Sequence, residues 1–401
     1  MEITIKHLQS IDQLAVAYPF PMHLSQRFTY HLSILQFAFA LSQFVNVYLI
    51  TLDDSEDLER MLHEELNLKP PATLKFVTVS NRRLGFKSNT LWFRIGVERI
   101  LKKLSDDYES VVVYSRNVKI AAYLASTKSR RGNNLKYAFE CHQLFSQNLG
   151  FACEFERAQK EHNLEKILYS NVDHLFANNE LLVRQLNRFF GAKASVLPVG
   201  VRYADILDLT KYSGPTYEGR PYDFVYAGSF DEWKGVECLL IALSSLRLEG
   251  WSGKAVLVGL RGAQLNEWRE KLVGLGLQFC VDLIERKPRV EVVKYLDDAK
   301  IGLIPNSLLD DSVFNTSPLK LFDYAARGLP LVISRVPALD SRTQPPDIFW
   351  FRPDDPDSLC ESMRRAMALS DDLSSPNLEW VKQFTWQKRA EAVVNQIKTS
   401  F

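Results

Sequence analysis

The sequence predicts an α/β protein built on two parallel sheets, each covered by helices on both faces. Three observations carry that expectation. Apolar, β-branched runs of strand length alternate with longer helical patterns along the whole chain. The alternation breaks once, in a polar stretch rich in Gly, Pro and Tyr, and then restarts in a similar form. The chain of 401 residues is also long enough, at roughly 150 residues per domain, for two or three domains with cores of their own.

In the first half, strands are expected at 14–18, 45–51, 74–79, 110–116, 135–142, 174–178 and 195–199. Between them, apolar residues recurring at three- and four-residue steps predict helices at 27–43, 91–104, 154–169 and 180–190. The stretch 198–221 lacks sustained periodicity and divides the chain. It sets a first domain at 1–205, a linker at 206–221, a second domain at 222–376 and a helical C-terminal segment at 377–401 that crosses back to the first domain. Within the second domain the strands are expected at 223–228, 254–259, 278–284, 301–305 and 331–335, with helices at 236–246, 263–275, 290–299 and 318–327. Helices at 356–369 and 377–398 close the chain.

Composition excludes several classes of function. Lys and Arg number 49 against 48 Asp and Glu, a net charge of +1, so no global field holds nucleic acid or an anionic membrane, and no nucleic-acid partner is expected. The five cysteines (Cys141, Cys153, Cys238, Cys280, Cys360) are scattered, with no C-x-x-C pair and no metal-ligand spacing. Reduced thiols in a cytoplasmic protein are the expectation. Residues 1–19 lack the features of a secretory signal, and the most apolar stretch, 32–50, is interrupted by Ser33, Gln36, Ser42, Gln43 and Asn46. Membrane contact is therefore expected to be at most peripheral, at the inner face.

Open α/β sheets bind ligands at the carboxyl ends of their strands, so the residues there are read first. With two such sheets, the crevice facing both is the expected active site. The strongest local signal runs from Asn315 through Pro318 and Lys320 to Gly328. Ser317 suits an N-cap and Pro318 a first helical turn, and a helix N-terminus attracts phosphate. Ser317, Lys320 and Asp323, spaced by three, form a stripe about 9 Å long that matches a nucleoside diphosphate. A capped helix with a surface Lys–Asp pair fits the spacing equally well. A second signal, 226–235, joins a strand end, Gly228 and the cation Lys234 at the mouth of the same sheet; an ordinary strand-to-helix turn has the same form. In the first domain, Glu140 and His142 project from one side of a strand end, and Arg116 ends another strand. Such a His–carboxylate pair binds a sugar hydroxyl, moves a proton, or is purely structural. Asp355-Pro-Asp357 reads as a turn and N-cap rather than a metal motif, and Lys128–Arg131 as a solvated basic loop open to anionic lipid or acceptor.

Taken together these blocks resemble the glycosyltransferase family 4 group of retaining, GT-B-fold enzymes (group 1). The runs YAGSFDEWKGVECLLIAL and IGLIPN…SPLKLFDYAARGLPLVIS look like the family's donor-binding blocks, and YAFECH like the strand bearing its active-site His. The segment ANNELLVRQLNRFFG…SVLPVGV resembles the approach to the interdomain linker. The resemblance implies GT-B architecture, two Rossmann-like doubly wound domains facing across a cleft, the first for the acceptor and the second for the donor. It implies transfer of a sugar from a nucleotide diphosphate sugar (UDP- or GDP-linked) to an acceptor hydroxyl on a carbohydrate or lipid-linked acceptor. No cofactor and no metal are implied, the reaction is of the hexosyltransferase type, and the setting is glycan, polysaccharide or glycolipid synthesis. His142, Lys234 and Lys320 would be catalytic. Gly228, Ser229, Lys234, Asn315, Ser317, Leu319, Lys320 and Asp323 would bind the donor, and Arg116, Glu140 and His142 would contact sugar or acceptor. The chain departs from the family at Asn315, where a second Glu is usual, at Ser229, where many members have Arg, and at 18–23, which replaces a glycine-rich turn. Those departures keep open a non-catalytic protein that binds a sugar nucleotide or a partner enzyme; a sugar-nucleotide epimerase also shares the fold.

Overall fold

The computed structural model describes residues 13–26, 29–80, 82–83, 86–87, 90–309, 313, 319–340, 344–369 and 376–399. The chain divides into two compact units, one of Met1–Pro198 with Trp386–Phe401 and one of Val199–Thr385.

The first unit holds seven parallel strands: β1 (Leu14–Pro19), β2 (Asn46–Thr51), β3 (Leu74–Thr78), β4 (Ser110–Ser115), β5 (Leu135–Cys141), β6 (His174–Ala177) and β7 (Ser195–Val196). They lie in the order β3-β2-β1-β4-β5-β6-β7. β1 is buried at every residue, as a central strand covered on both faces must be. On one face Ala17, Ile50, Val111 and Val113 pack with Phe93, Val97 and Leu101 of the helix Leu91–Asp107. Elsewhere Phe37 of the helix Thr29–Leu41 meets Tyr114 of β4 at 5.3 Å between ring centroids and Trp386 of the helix Trp386–Lys398 at 6.2 Å. The C-terminal helix thus belongs to the core of the first unit.

In the second unit six parallel strands, β8 (Tyr222–Ala227), β9 (Ala255–Leu260), β10 (Val281–Glu285), β11 (Ala299–Ile304), β12 (Leu331–Ser334) and β13 (Ile348–Phe351), lie in the order β10-β9-β8-β11-β12-β13. Its core joins Phe224, Tyr226, Leu257, Ile301 and Val332 to Leu239 and Leu243 of the helix Val236–Leu248 and to Leu359 and Met363 of the helix Pro356–Met367. Each sheet reverses its winding beside its own first strand, between β1 and β4 and between β8 and β11. That reversal opens a crevice at the strand carboxyl ends.

Several elements differ from the sequence expectation. Helices at Ser55–Leu66, Val118–Ser126 and Phe145–Phe151 lie between expected strands where the sequence pattern gives no helix bounds, and the edge strand β13 has no counterpart in it. Val118–Ser126 is apolar on most of its surface, which hides its period, but Asn117 caps it by accepting from the Ile120 N–H at 3.1 Å. The helix expected at 377–398 is two, Pro376–Val381 and Trp386–Lys398. Between them the Phe384 carbonyl accepts from the Val201 amide at 2.9 Å, which turns the chain out of helical geometry. The linker expected at 206–221 is packed into the second unit, where Ile206, Leu207 and Tyr217 are buried and the Leu207 N–H donates to the Ala326 carbonyl at 2.8 Å. Asp355 caps the helix Pro356–Met367 as its sequence suggests. The basic loop is largely engaged, Arg131 with Glu98 and Lys128 with Asp173. Among the described residues no helix is long and apolar enough to cross a membrane.

Candidate active site

The crevice of the first unit gathers Arg116, Glu140 and His142. Alternation along β5 sends Glu140 to the face covered by the C-terminal helix, and the strand ends at Cys141, which leaves His142 just beyond it. Glu140 is wholly buried. Its Oε2 accepts from Arg116 Nε at 3.0 Å and from the Tyr114 hydroxyl, and its Oε1 accepts from Arg389 Nη2 at 2.5 Å and faces His142 Nε2 at 2.5 Å. Burial pushes the Glu140 carboxyl up, but the Arg116 and Arg389 guanidiniums and His142 outweigh it and hold the group well below the ordinary carboxylate range. Burial lowers His142 from its usual value, Glu140 opposing and the two arginines adding to the shift.

In the second unit the end of β8 brings together Gly228, Lys320 and Lys234, and Leu319 begins the helix that carries Lys320. Lys320 sits on the helix Leu319–Ala325, and its Nζ lies 4.0 Å from the centroid of the Tyr226 ring. A Cβ on Gly228 would stand 2.6 Å from that Nζ, so only a glycine lets the ammonium lie against the backbone at the end of β8. The Lys320 Nζ is buried and has no hydrogen-bond partner among the described residues. Desolvation pulls it well below the ordinary lysine range; Lys234 repels in the same direction and Asp323 opposes. Lys234 ends the short turn Glu232–Lys234 with its Nζ 3.3 Å from the Trp233 ring centroid. Gly235 follows with φ 66°, and a Cβ there would meet the Pro305 carbonyl at 1.8 Å, so this glycine pins the loop after β8 to the end of β11.

Two expected donor contacts are already engaged within the protein. The Ser229 hydroxyl donates to Asp231 Oδ2 at 2.6 Å. Asp323 receives a bidentate pair from Arg289, at 2.8 and 2.6 Å, and Arg289 also reaches Asp205. Asn315 and Ser317 lie outside the described residues. Arg389, Tyr114, Asn178 and Arg289 were not expected at either crevice. Their sequence context is that of ordinary helix and strand residues, and only the dipeptide Asn178-Asn179, after β6 and before a helix, carries a local signal. No group of three or more His, Cys, Asp or Glu side chains is placed to hold a metal ion among the described residues.

One comparison, with a family model, falls on the second unit, and the solved structures match the fold of nearly the whole chain. Residues 221–368, which contain Gly228, Ser229, Lys234, Lys320 and Asp323, match the family model described as glycosyl transferases group 1. Over 166 residues the chain is 25% identical to the amylovoran biosynthesis glycosyltransferase AmsK of Erwinia amylovora; the match spans 40% of this chain and 40% of the length of that relative. Among solved structures it is similar to sucrose-phosphate synthase from Thermosynechococcus elongatus, with a TM-score of 0.70 and 16% identity over 97% of this chain and 99% of the other. It is also similar to HepE of Anabaena, solved in complex with UDP, with a TM-score of 0.67 and 13% identity over 96% of this chain and 100% of that one. Two parallel-sheet α/β units with these neighbours define the GT-B architecture.

Proposed function

We propose that the protein is a retaining glycosyltransferase that moves a hexosyl group from a UDP- or GDP-linked donor to an acceptor hydroxyl, without a metal ion, in glycan, polysaccharide or glycolipid synthesis. The observation that carries this reading is Lys320: an ammonium buried against Gly228, with no hydrogen-bond partner among the described residues and beside a second lysine, at the carboxyl edge of a sheet. A buried cation costs several kcal/mol without a partner, and a diphosphate would supply one. As the bond from the sugar carbon to the diphosphate oxygen breaks, negative charge collects on that oxygen. Lys320 and Lys234 stabilise the charge in place, the part a divalent cation plays in other transferases. Arg289 orients Asp323, whose remaining lone pairs suit ribose hydroxyls.

A panel of UDP-, GDP- and ADP-sugars tests the reading through slow hydrolysis to free nucleotide and through transfer. We expect turnover with at least one donor, its persistence in excess EDTA, and a loss of more than about tenfold in Lys320→Ala, since a charge-assisted contact in a dry site is worth a few kcal/mol. Abolition by EDTA would overturn the metal-free mechanism, and full activity in Lys320→Ala would remove that lysine from it. A second reading, donor binding without turnover, is favoured by Ser229, whose hydroxyl is committed to Asp231. Measurable nucleotide binding with no hydrolysis of any donor would establish it.

A further inference from the structure

Both ring nitrogens of His142 are engaged, and the direction of each hydrogen bond around it follows from a backbone amide two residues outside its contact shell. The Leu182 N–H, in the first turn of the helix Glu180–Phe190, donates to the Asn179 side chain at 2.8 Å. A backbone amide only donates, so the atom it meets is Asn179 Oδ1, and the other terminal atom of that side chain is the amino group. That amino group reaches Asn178 at 2.9 Å and therefore meets Asn178 Oδ1. The Asn178 amino group is left facing His142 Nδ1 at 3.3 Å. An amino group cannot accept from a ring N–H, so Nδ1 carries no hydrogen, and the neutral ring holds its proton on Nε2, directed at Glu140 Oε1 2.5 Å away. Glu140 is fixed in turn by Arg116, by Tyr114 and by Arg389 from the C-terminal helix. A doubly protonated ring would set a second N–H against the Asn178 amino group, donor against donor.

We infer that His142 is an imidazole locked in the Nε2–H tautomer, with neither nitrogen free to exchange a proton with substrate, and that Asn178, Asn179 and Arg389 are positioning residues that hold it. The spacing of Glu140 and His142 had left sugar contact, proton transfer and a structural pair open; the hydrogen-bond chain excludes proton transfer. For the proposed transfer reaction, on which this consequence rests, His142 shapes the surface at the end of β5 and does not act as general acid or base. The charged groups around the ring agree, because Arg116 and Arg389 oppose an imidazolium and Glu140 alone favours it.

The tautomer is read directly by long-range proton–nitrogen NMR of the full-length protein without any sugar nucleotide. The protein has seven histidines, and His142→Gln identifies the signals of this ring. At pH 7 the expected pattern is a protonated Nε2 and a bare Nδ1, with a titration midpoint below the ordinary 6.5. Asn178→Asp replaces the donor opposite Nδ1 with a carboxylate, and the midpoint then rises as the ring takes a second proton more readily. A wild-type ring with its proton on Nδ1, an imidazolium at pH 7, or an Asn178→Asp spectrum identical to wild type would each overturn the assignment. The wild-type spectrum decides even if Asn178→Asp does not fold. Because the spectra need no turnover, failure of the transfer reading leaves the locked ring standing, and the converse also holds.

Discussion

At the scale of single residues, two positions set measurable limits. Gly235 adopts φ 66° and its missing Cβ is the space occupied by the Pro305 carbonyl. Gly235→Ala adds a left-handed backbone strain to a collision with a peptide group, so we expect a loss of about 2 kcal/mol or more in denaturant unfolding of the second unit. Glu165 is buried in the helix Phe155–Asn171, where it accepts from the Phe145 and Ser146 amides and the Ser146 hydroxyl. Desolvation outweighs those bonds and pushes its carboxyl up to about 7. The folded protein therefore holds this proton more tightly than the unfolded chain does. The associated stability is present in full below the unfolded value of 4.5 and is lost as pH rises through about 7. Glu165→Gln should flatten the fall in thermal stability of the first unit across that window, and an unchanged slope would show that another group titrates there. Some of the candidate site was legible at this scale. Gly228 stands out as a glycine at a strand end, Lys234 as a cation in the turn that follows it and Lys320 as a cation in the first turn of a helix. Arg389 and Arg289 did not, since a buried arginine in an amphipathic helix has the same spacing as an exposed one.

At the scale of elements, the helix Trp386–Lys398 has the largest effect for its length. It delivers Trp386 to Phe37 and Arg389 to Glu140 within the first unit. Replacing Arg389 by Leu leaves Glu140 buried with one partner fewer, and such a loss costs about 3–5 kcal/mol. We expect that range for Arg389→Leu in chemical denaturation, and a largely additive further loss on adding Glu140→Leu would show that the two residues are not coupled. The long amphipathic helices and the apolar strands were legible because their periods are strong. Val118–Ser126 was not, because an element buried on most sides has no polar face to mark its period. The break between Val381 and Trp386 escaped notice because it is made by a pairing with Val201, far away in sequence.

At the scale of the whole molecule, the second unit is one continuous stretch, Val199–Thr385, while the first is assembled from two. A polypeptide of residues 199–385 should fold cooperatively by itself. Residues 1–198 alone should stay partly open until a peptide spanning 386–401 is added, which circular dichroism and proteolysis would detect. The doubled α/β pattern made two sheets legible from the sequence. The boundary was not, because residues 206–221 look like a polar connector and yet bury Ile206, Leu207 and Tyr217 in a core.

This split path has a consequence for synthesis on the ribosome. As the nascent chain emerges, the strands β1 to β7 come out first, but the partners of Phe37 and Glu140 on the helix Trp386–Lys398 are still to be translated. During all the time needed to make residues 199–385, the first unit waits with an apolar face and a buried carboxylate uncovered. Chaperone dependence in the cell should accordingly concentrate on that interval.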